Sequence, residues 1–323
     1  MIRSTAAGAF CERGDFFLDP GRSVERAVIT HAHRDHLRNG CSTYYCSEPS
    51  EGLVRARLPR HAKVTVVPYG EVFRLGDVDV SFHPAGHILG SSQVRIESEG
   101  KVWVFSGDYK RDSDASCEAF EVVECDTFIT ESTFGRSEFA WPRVETVFDD
   151  LLAWWKRNRE LGRTSVIFCY VLGKAQRILA ELKSRSTPRI WVHDEIEVMT
   201  DCYRRESVPL ASTELLPRRL RGRTLAGELV LAPPRYAVPT WIDRFQEAST
   251  AVTSGWADAR PGRGGVEPEA RFPLSDHADW PALLRTIEET GARRVLTMHG
   301  ESTELVDELR SRGLEAGPLS EVL

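Results

Sequence analysis

Short apolar runs dominate the first third of the chain, and several stop abruptly at an ionisable residue. Phe16–Leu18 stops at Asp19-Pro20-Gly21, and Ala27–Thr30 stops at His31. Val78–His83 alternates apolar with polar, the period of a half-buried strand, and then meets Pro84-Ala85-Gly86-His87. Val102–Phe105 runs into Ser106-Gly107-Asp108, Thr127–Thr130 ends at Glu131, and Val295–Thr297 leads through Met298 to His299-Gly300. Ionisable residues gathered at strand ends are how a site is mounted on a rigid sheet, with the loops supplying the chemistry.

Between about 137 and 265 the texture changes. Val144, Val147, Phe148, Leu151, Leu152 and Trp155 have helical spacing with one wet face. A strand over Ser165–Cys169 and a helix from Gly173 to Lys183 follow. Further signals lie at Ile190–Val192, Glu195–Arg205, Leu229–Leu231 and Ala251–Thr253. This alternation predicts an α/β unit with a parallel sheet, closed by the turn-rich Arg260-Pro261-Gly262-Arg263-Gly264-Gly265. Two helices, Trp280–Glu289 and Ser302–Arg312, flank the strand at Arg294–Thr297. The expected division is therefore 1–136 with 266–323 as one domain and 137–265 as another.

Composition sets bounds on function. At 323 residues the chain has room for about two domains of ~100–200 residues. Hydrophobic residues at 41% and charged residues at 28% exclude wholesale disorder. A net charge of −6 excludes a surface that is basic throughout, yet leaves room for a nucleic-acid enzyme with a local basic groove. Seven cysteines without a C-x-x-C pair read as reduced, packed thiols, not as a zinc finger or a thioredoxin motif. No apolar run nears the ~18 residues of a membrane span, and Met1-Ile2-Arg3-Ser4 lacks a signal-peptide pattern. A cytoplasmic protein without membrane attachment is expected.

The densest chemistry is Thr30-His31-Ala32-His33-Arg34-Asp35-His36, four potential metal ligands directly after a strand. Imidazole and carboxylate suit zinc and related first-row ions. One ion cannot easily take all four, whereas two adjacent ions can: His31 and His33 to the first, Asp35 and His36 to the second. His87, Asp108 and His299, each at a strand end, would complete the set, with Asp108 as the bridge. A bridged pair of ions activates water and clamps a phosphoryl oxygen.

His31-x-His33-x-Asp35-His36, with Gly86-His87 and Gly107-Asp108, resembles the metallo-β-lactamase superfamily, whose fold is an αββα sandwich. By that resemblance Asp19 supports a ligand histidine, although Asp19-Pro20-Gly21 also reads as a plain turn. Glu131-Ser132-Thr133-Phe134-Gly135, Ser275-Asp276-His277-Ala278-Asp279 and Met298-His299-Gly300-Glu301 are similar to motifs A, B and C of the β-CASP nucleases. The fold class so implied is α/β: the sandwich with an inserted α/β β-CASP cap. The implied catalytic residues are His277, which protonates the leaving oxygen, Glu131, which holds and polarises His277, and Asp35 and Asp19. The implied cofactors are two divalent ions, zinc or manganese.

End to end, including Phe16–Pro20, Pro84–Ser91, Thr130–Gly135 and Leu172–Ile178, the chain resembles the bacterial ligase-associated DNA exonucleases. That implies a DNA substrate, a role in repair, and association with an ATP-dependent DNA ligase and a helicase. His299 departs from this pattern: DNA-acting members tend to carry an aliphatic residue at motif C and RNA-acting members a histidine. An RNA-processing ribonuclease is the alternative, and a non-catalytic nucleic-acid-binding scaffold the rival of another class.

Ser132, Thr133, Lys174 and Ser275 are candidates for gripping substrate. Lys174 opens a helix in Leu172-Gly173-Lys174, and either meets a phosphate there or is an ordinary solvated charge. His61 and His193 read as having no companion ligands, and His83 as a supporting residue. Trp154 and Trp155 read as core rather than as a base-stacking platform.

Overall fold

The computed structural model describes residues 1–185, 189–217, 225–256 and 265–322. It divides into two compact units, Met1–Ser113 with Cys117–Ala140 and His277–Leu323, and Asp114–Ser116 with Trp141–Asp276. The elements in chain order are β1 (Ile2–Thr5), β2 (Gly8–Cys11), β3 (Phe16–Leu18), β4 (Arg26–Val28), β5 (Thr43–Ser47), α1 (Glu51–Arg57), β6 (Val64–Val67), β7 (Phe73–Leu75), β8 (Val78–Pro84), β9 (Ser92–Ser98), β10 (Lys101–Phe105) and β11 (Thr127–Glu131). The second unit holds α2 (Val144–Glu160), β12 (Thr164–Phe168), α3 (Lys174–Ser184), β13 (Ile190–Val192), α4 (Asp194–Arg205), β14 (Thr213–Leu215), β15 (Leu229–Ala232), α5 (Pro239–Ile242), β16 (Ala248–Ser254) and β17 (Ala270–Pro273). The chain then returns to the first unit with α6 (Trp280–Glu289), β18 (Arg294–Met298), α7 (Thr303–Ser311) and β19 (Glu315–Pro318).

The first unit has two sheets, ordered β1-β2-β3-β4-β5-β6 and β19-β18-β11-β10-β9-β8-β7. Their facing sides share one core. Cys11, Phe16, Leu18 and Val28 from the first sheet meet Val80, Phe82, Ile96, Phe105 and Ile129 from the second. The alternate residues of the second sheet, Val104, Phe128 and Val295, pack instead under Leu283 and Ile287 of α6 and Leu305 and Leu309 of α7. Period-two alternation thus gives these strands two dry faces, each fully buried aliphatic side chain contributing about 1.5–3 kcal/mol.

The second unit is a wholly parallel sheet, β14-β13-β15-β12-β16-β17. One face packs against α2 and α3 through Phe148, Leu151, Trp154, Trp155, Ile178 and Leu179. Trp154 and Trp155 are therefore core, with their indole N–H groups satisfied by Ser249 Oγ at 3.1 Å and the Gly227 carbonyl at 3.0 Å. The other face packs around Val166, Phe168, Trp191 and Val230. The unit runs through Asp276, beyond the expected edge at 265, because β17 pairs in parallel with β16. Residues 260–264 of the turn-rich stretch lie outside the described residues. No helix among the described residues is long and apolar enough to cross a membrane.

Ile96 is fully buried between the two sheets of the first unit. Ile96→Ala should lower that unit's stability by about 2–5 kcal/mol. Urea unfolding followed by the fluorescence of Trp103, in the same core, measures it; a loss below ~1 kcal/mol would contradict close packing there.

Candidate metal centre

Strand direction explains why distant residues meet. β3 and β4 are parallel, so Asp19 and the turn from Thr30 to His36 leave the same edge of the first sheet. β8 and β10 each run antiparallel to β9, while β10, β11 and β18 are mutually parallel. His87, Asp108, Glu131 and His299 therefore all follow strands that end on one edge of the second sheet.

Asp108 lies at the centre, 6% exposed. Its Oδ2 is 3.3 Å from His36 Nε2, 3.6 Å from His31 Nε2 and 3.9 Å from His87 Nε2. His33 Nδ1 approaches His31 Nε2 at 3.0 Å and His87 Nε2 at 3.1 Å. His31, His33, His87 and Asp108 thus offer ligand atoms within 4.8 Å of one another, and His36, Asp108 and His299 offer a second set sharing the carboxylate. Asp35 is more open: its side chain is 76% exposed, with Oδ2 3.8 Å from His36 Nε2.

A layer behind these donors sets their tautomers. Asp19 Oδ1 accepts the Thr30 N–H at 2.8 Å, and its Oδ2 accepts the Thr30 hydroxyl at 2.5 Å and the His36 Nδ1–H at 2.8 Å. Thr30 Oγ1, its proton committed to Asp19, accepts from His31 Nδ1 at 3.0 Å. The network therefore commits Nδ1 of His31 and His36 to hydrogen bonds and leaves Nε2 of each, facing Asp108, as the atom available to a cation, His36 giving up a proton there when the cation binds. Nitrogens 3.0–3.1 Å apart are close to the ~3.3 Å spacing of ligands on a tetrahedral ion with ~2.0 Å bonds, so the donor set fits a first-row divalent cation.

The electrostatics agree. Burial, reinforced by His36 and His33, holds His31 well below the ordinary histidine range. Burial also opposes charge on His36, but Asp108 and Asp19 outweigh it and hold His36 well above that range. For Asp108 burial would raise the carboxyl; His36 in particular overcomes it and keeps the group well below the usual carboxylate range.

Backbone geometry is specialised at the same points. Gly107 has φ of +57°, and a Cβ there would come within 2.6 Å of Thr30 Cβ. Gly300 has φ of +75°, and a Cβ would collide with the Ser132 carbonyl. Asp19 and His299 hold φ of 42° and 54° without being glycine, a strain that collects at functional sites.

Next to the donors stands a second pair. Glu131, fully buried at the end of β11, accepts the Tyr109 N–H on Oε1 at 2.7 Å and faces His277 Nδ1 with Oε2 at 2.9 Å. The His277 side chain is 23% exposed, and its ring centroid is 4.7 Å from that of His87.

The other candidates fall elsewhere. Ser132 donates to the carbonyls of Met298, at 3.1 Å, and His299, so its hydroxyl serves the His299-Gly300 turn. Thr133 is half-buried and Ser275 buried. Lys174 is buried, with Nζ 2.5 Å from the Leu274 carbonyl and 2.9 Å from Asp276. His83 pairs with Glu121 at 3.0 Å. His193 does have acidic companions, Asp194 and Glu195, contrary to its reading as isolated; it caps α4, accepting the Glu195 N–H at 3.3 Å. The role of Thr30 was missed, because it depends on the pairing of β3 with β4 rather than on spacing.

No family model matches the chain. Over 97% of its length it is 32% identical to a protein from Opitutus terrae named probable DNA ligase, of which it spans 30%. Over 65% of its length it is 27% identical to the transcription termination factor FttA of Methanothermobacter thermautotrophicus, spanning 38% of that protein. Further relatives at 25–29% identity carry ribonuclease names, matching about half of this chain and under half of their own lengths. A crystal structure of a protein of unknown function from Enterococcus faecalis shares the fold, with a TM-score of 0.59 and 13% identity over 85% of this chain and 75% of that one.

Asp19→Ala removes the acceptor of both Thr30 and His36. It should lower affinity for zinc by roughly 10–100-fold without changing secondary structure, read by competition against a fluorescent chelator. Unchanged affinity would show that Asp19 is only a turn residue.

Proposed function

We propose that this chain is a divalent-metal-dependent phosphodiesterase acting on nucleic acid, a β-CASP member of the metallo-β-lactamase superfamily. In this reading the first unit is the αββα sandwich and the second the cap. The observation that carries it is the shared Asp108 at the meeting of two donor sets, with the Glu131–His277 pair beside it. His31, His33 and His87 would hold one ion, His36 and His299 with Asp35 the other, and Asp108 both. Zinc or manganese suits these donors. Such ions, when bound, lower the pKa of water to produce a nucleophile and offset charge on the phosphoryl oxygens.

The chain's own residues handle the leaving group. Glu131 accepts the Nδ1–H of His277 and fixes the ring, so that Nε2 carries the proton delivered to the departing oxygen as the P–O bond breaks. Glu131 is itself held by the Tyr109 N–H. Thr133 and Ser275 remain candidates for contacting substrate.

DNA is the favoured substrate, digested exonucleolytically in a repair setting. Support comes from near-full-length similarity to a protein named for DNA ligase, the activity with which such an exonuclease would be associated. The helicase association rests on the sequence resemblance alone. RNA is the second reading, favoured by His299 and by the relatives with ribonuclease names.

End-labelled single- and double-stranded DNA and RNA, digested with zinc- or manganese-loaded protein, test both readings. Mononucleotides from DNA with RNA intact are expected; preferential RNA cleavage would overturn the DNA assignment. Chelation and His33→Ala should each abolish turnover through loss of metal. His277→Ala should keep its metal and lose roughly 10²–10⁴-fold in rate; equal metal loss in both variants would defeat this division of roles.

A further inference from the structure

Several surface cations of the first unit face carboxylates: Arg3, Arg13 and Arg74 lie 2.6, 2.6 and 3.1 Å from Glu12, Glu99 and Asp79. One stretch departs from this habit. Residues 34–63 carry six Lys and Arg against three Asp and Glu, in a chain whose net charge is −6. Arg55 pairs with Glu51 at 2.6 Å on α1. Arg34, Arg38, Arg57, Arg60 and Lys63 form no ion pair among the described residues. All five except the half-buried Arg57 are exposed.

The first sheet brings these residues together within one unit. Arg34 and Arg38 lie between β4 and β5, Arg57 ends α1, and Arg60 and Lys63 lie between α1 and β6. Because β4 and β5 are parallel neighbours, the turn carrying Arg34 and the chain entering α1 leave the same sheet edge. Tyr44 joins the far end: its N–H donates to the Lys63 carbonyl at 2.9 Å and its hydroxyl to the Arg38 carbonyl at 2.8 Å. The cations therefore run from the metal-binding turn along the outside of α1 and β5.

Arg57 shows that the charge is uncompensated. Its Nε and Nη1 are shielded from water and have no hydrogen-bond partner. Burial, with the like charge of Arg34 and against the pull of Asp35, holds the guanidinium below the ordinary arginine range. A shielded donor without an acceptor costs stability. The dipole of α1 favours a cation on its last turn, but that explains neither the missing acceptor nor Arg60 and Lys63. Like charges kept together without carboxylates are the footprint of a polyanion-binding surface. Residues 34–63 contain no large exposed apolar side chain, and such side chains are what a membrane-surface site would insert.

We propose that Arg34, Arg38, Arg57, Arg60 and Lys63 form a track for the phosphodiester backbone of the substrate, beginning beside Asp35 and leading away from the metal centre. The proposal rests on the reading of this chain as acting on nucleic acid. Four of the five are arginines, whose planar fork suits phosphate oxygens. Contacts of this kind hold the strand in register without reading its sequence.

The test uses the metal-loaded full chain and a fluorescein-labelled single-stranded DNA with phosphorothioate linkages, which keep the backbone charge and resist hydrolysis. Fluorescence anisotropy gives the binding constant K over a range of salt. Log K should fall linearly with log[salt], by roughly 0.7 per phosphate neutralised. Arg57→Gln, Arg60→Gln and Lys63→Gln combined should flatten that slope by roughly 2 and weaken binding at low salt. Arg60→Gln with Lys63→Gln, both at exposed positions, is the second variant and should flatten it by roughly 1.4. Arg3→Gln, Arg13→Gln and Arg74→Gln combined remove the same charge elsewhere and should leave the slope in place. Equal flattening in both triple variants would reduce the effect to net charge and overturn the proposal. An unchanged slope in both track variants, with the parent chain still bound, would sink this inference alone. Failure of the parent chain to bind either DNA or RNA would remove the nucleic-acid reading along with it. Loss of binding to phosphatidylserine vesicles with DNA binding intact would assign the track to a membrane surface and likewise refute the proposal.

Discussion

Burying one carboxylate among imidazoles is the constraint on which the rest of the site depends. Asp108 is almost fully removed from water, and a buried carboxylate costs several kcal/mol unless charge and hydrogen bonds compensate. His36 supplies that charge, because Asp19 holds it from the other side. His31 is kept neutral by its burial and by its crowding against His36 and His33. The centre therefore presents a charged and a neutral imidazole to one carboxylate, a balance that a divalent cation would take over. Gly107 belongs to the same constraint, since any side chain there would push the turn off Thr30.

The turn that places Asp108 also reaches the second pair. Asp108 turns its side chain into the donor set, and the backbone N–H of the next residue, Tyr109, goes to Glu131. The Tyr109 carbonyl in turn accepts from Ala278, the neighbour of His277. The donor set and the Glu131–His277 pair are thus separated by a single peptide step. Asp108 and Glu131 rest on strands, β10 and β11, whose alternate residues are buried on two faces. A one-residue slip would send every side chain of such a strand into the opposite core, where it does not fit, and this fixes the geometry more firmly than the loops could.

Legibility in the sequence followed the range over which each role is decided. The His31–His36 turn was readable because four ligands fall within six residues. His87, Asp108, Glu131 and His299 were readable as polar residues ending apolar runs, although only the pairing of the sheet, antiparallel on both sides of β9 and parallel from β10 to β18, brings them to one edge. Spacing alone gives Thr30 no task, because its hydroxyl matters only where β3 and β4 lie side by side. Lys174 was ambiguous for the same reason. A lysine at a helix start looks solvated until a strand end 100 residues later closes over it. The edge of the second unit at Asp276 was hidden because β17 is four residues long and pairs at the sheet margin. His193 differs: its acidic companions, Asp194 and Glu195, are adjacent in the sequence and belong to the first turn of the helix it caps.

The two donor sets differ in exposure, and the difference bears on how a phosphodiester could approach. His31 and His87 are almost wholly enclosed, at 1% and 3%. The other set includes His299, exposed on a left-handed turn, and borders on Asp35, whose carboxylate stands largely in solvent. An ion among the enclosed donors would be fixed by protein on most sides, whereas one beside His299 and Asp35 would keep an open flank. Open positions are where metal sites admit substrate and water. Under the proposed function the scissile phosphate would therefore arrive from the His299 side. His299, a departure from the DNA-acting pattern that the sequence otherwise resembles, would then stand where substrate first meets the centre. Under the same reading an aliphatic side chain in place of His299 would remove a donor from the open set and change the surface that substrate meets first, while His31, His33, His87 and Asp108 would keep the enclosed set unchanged.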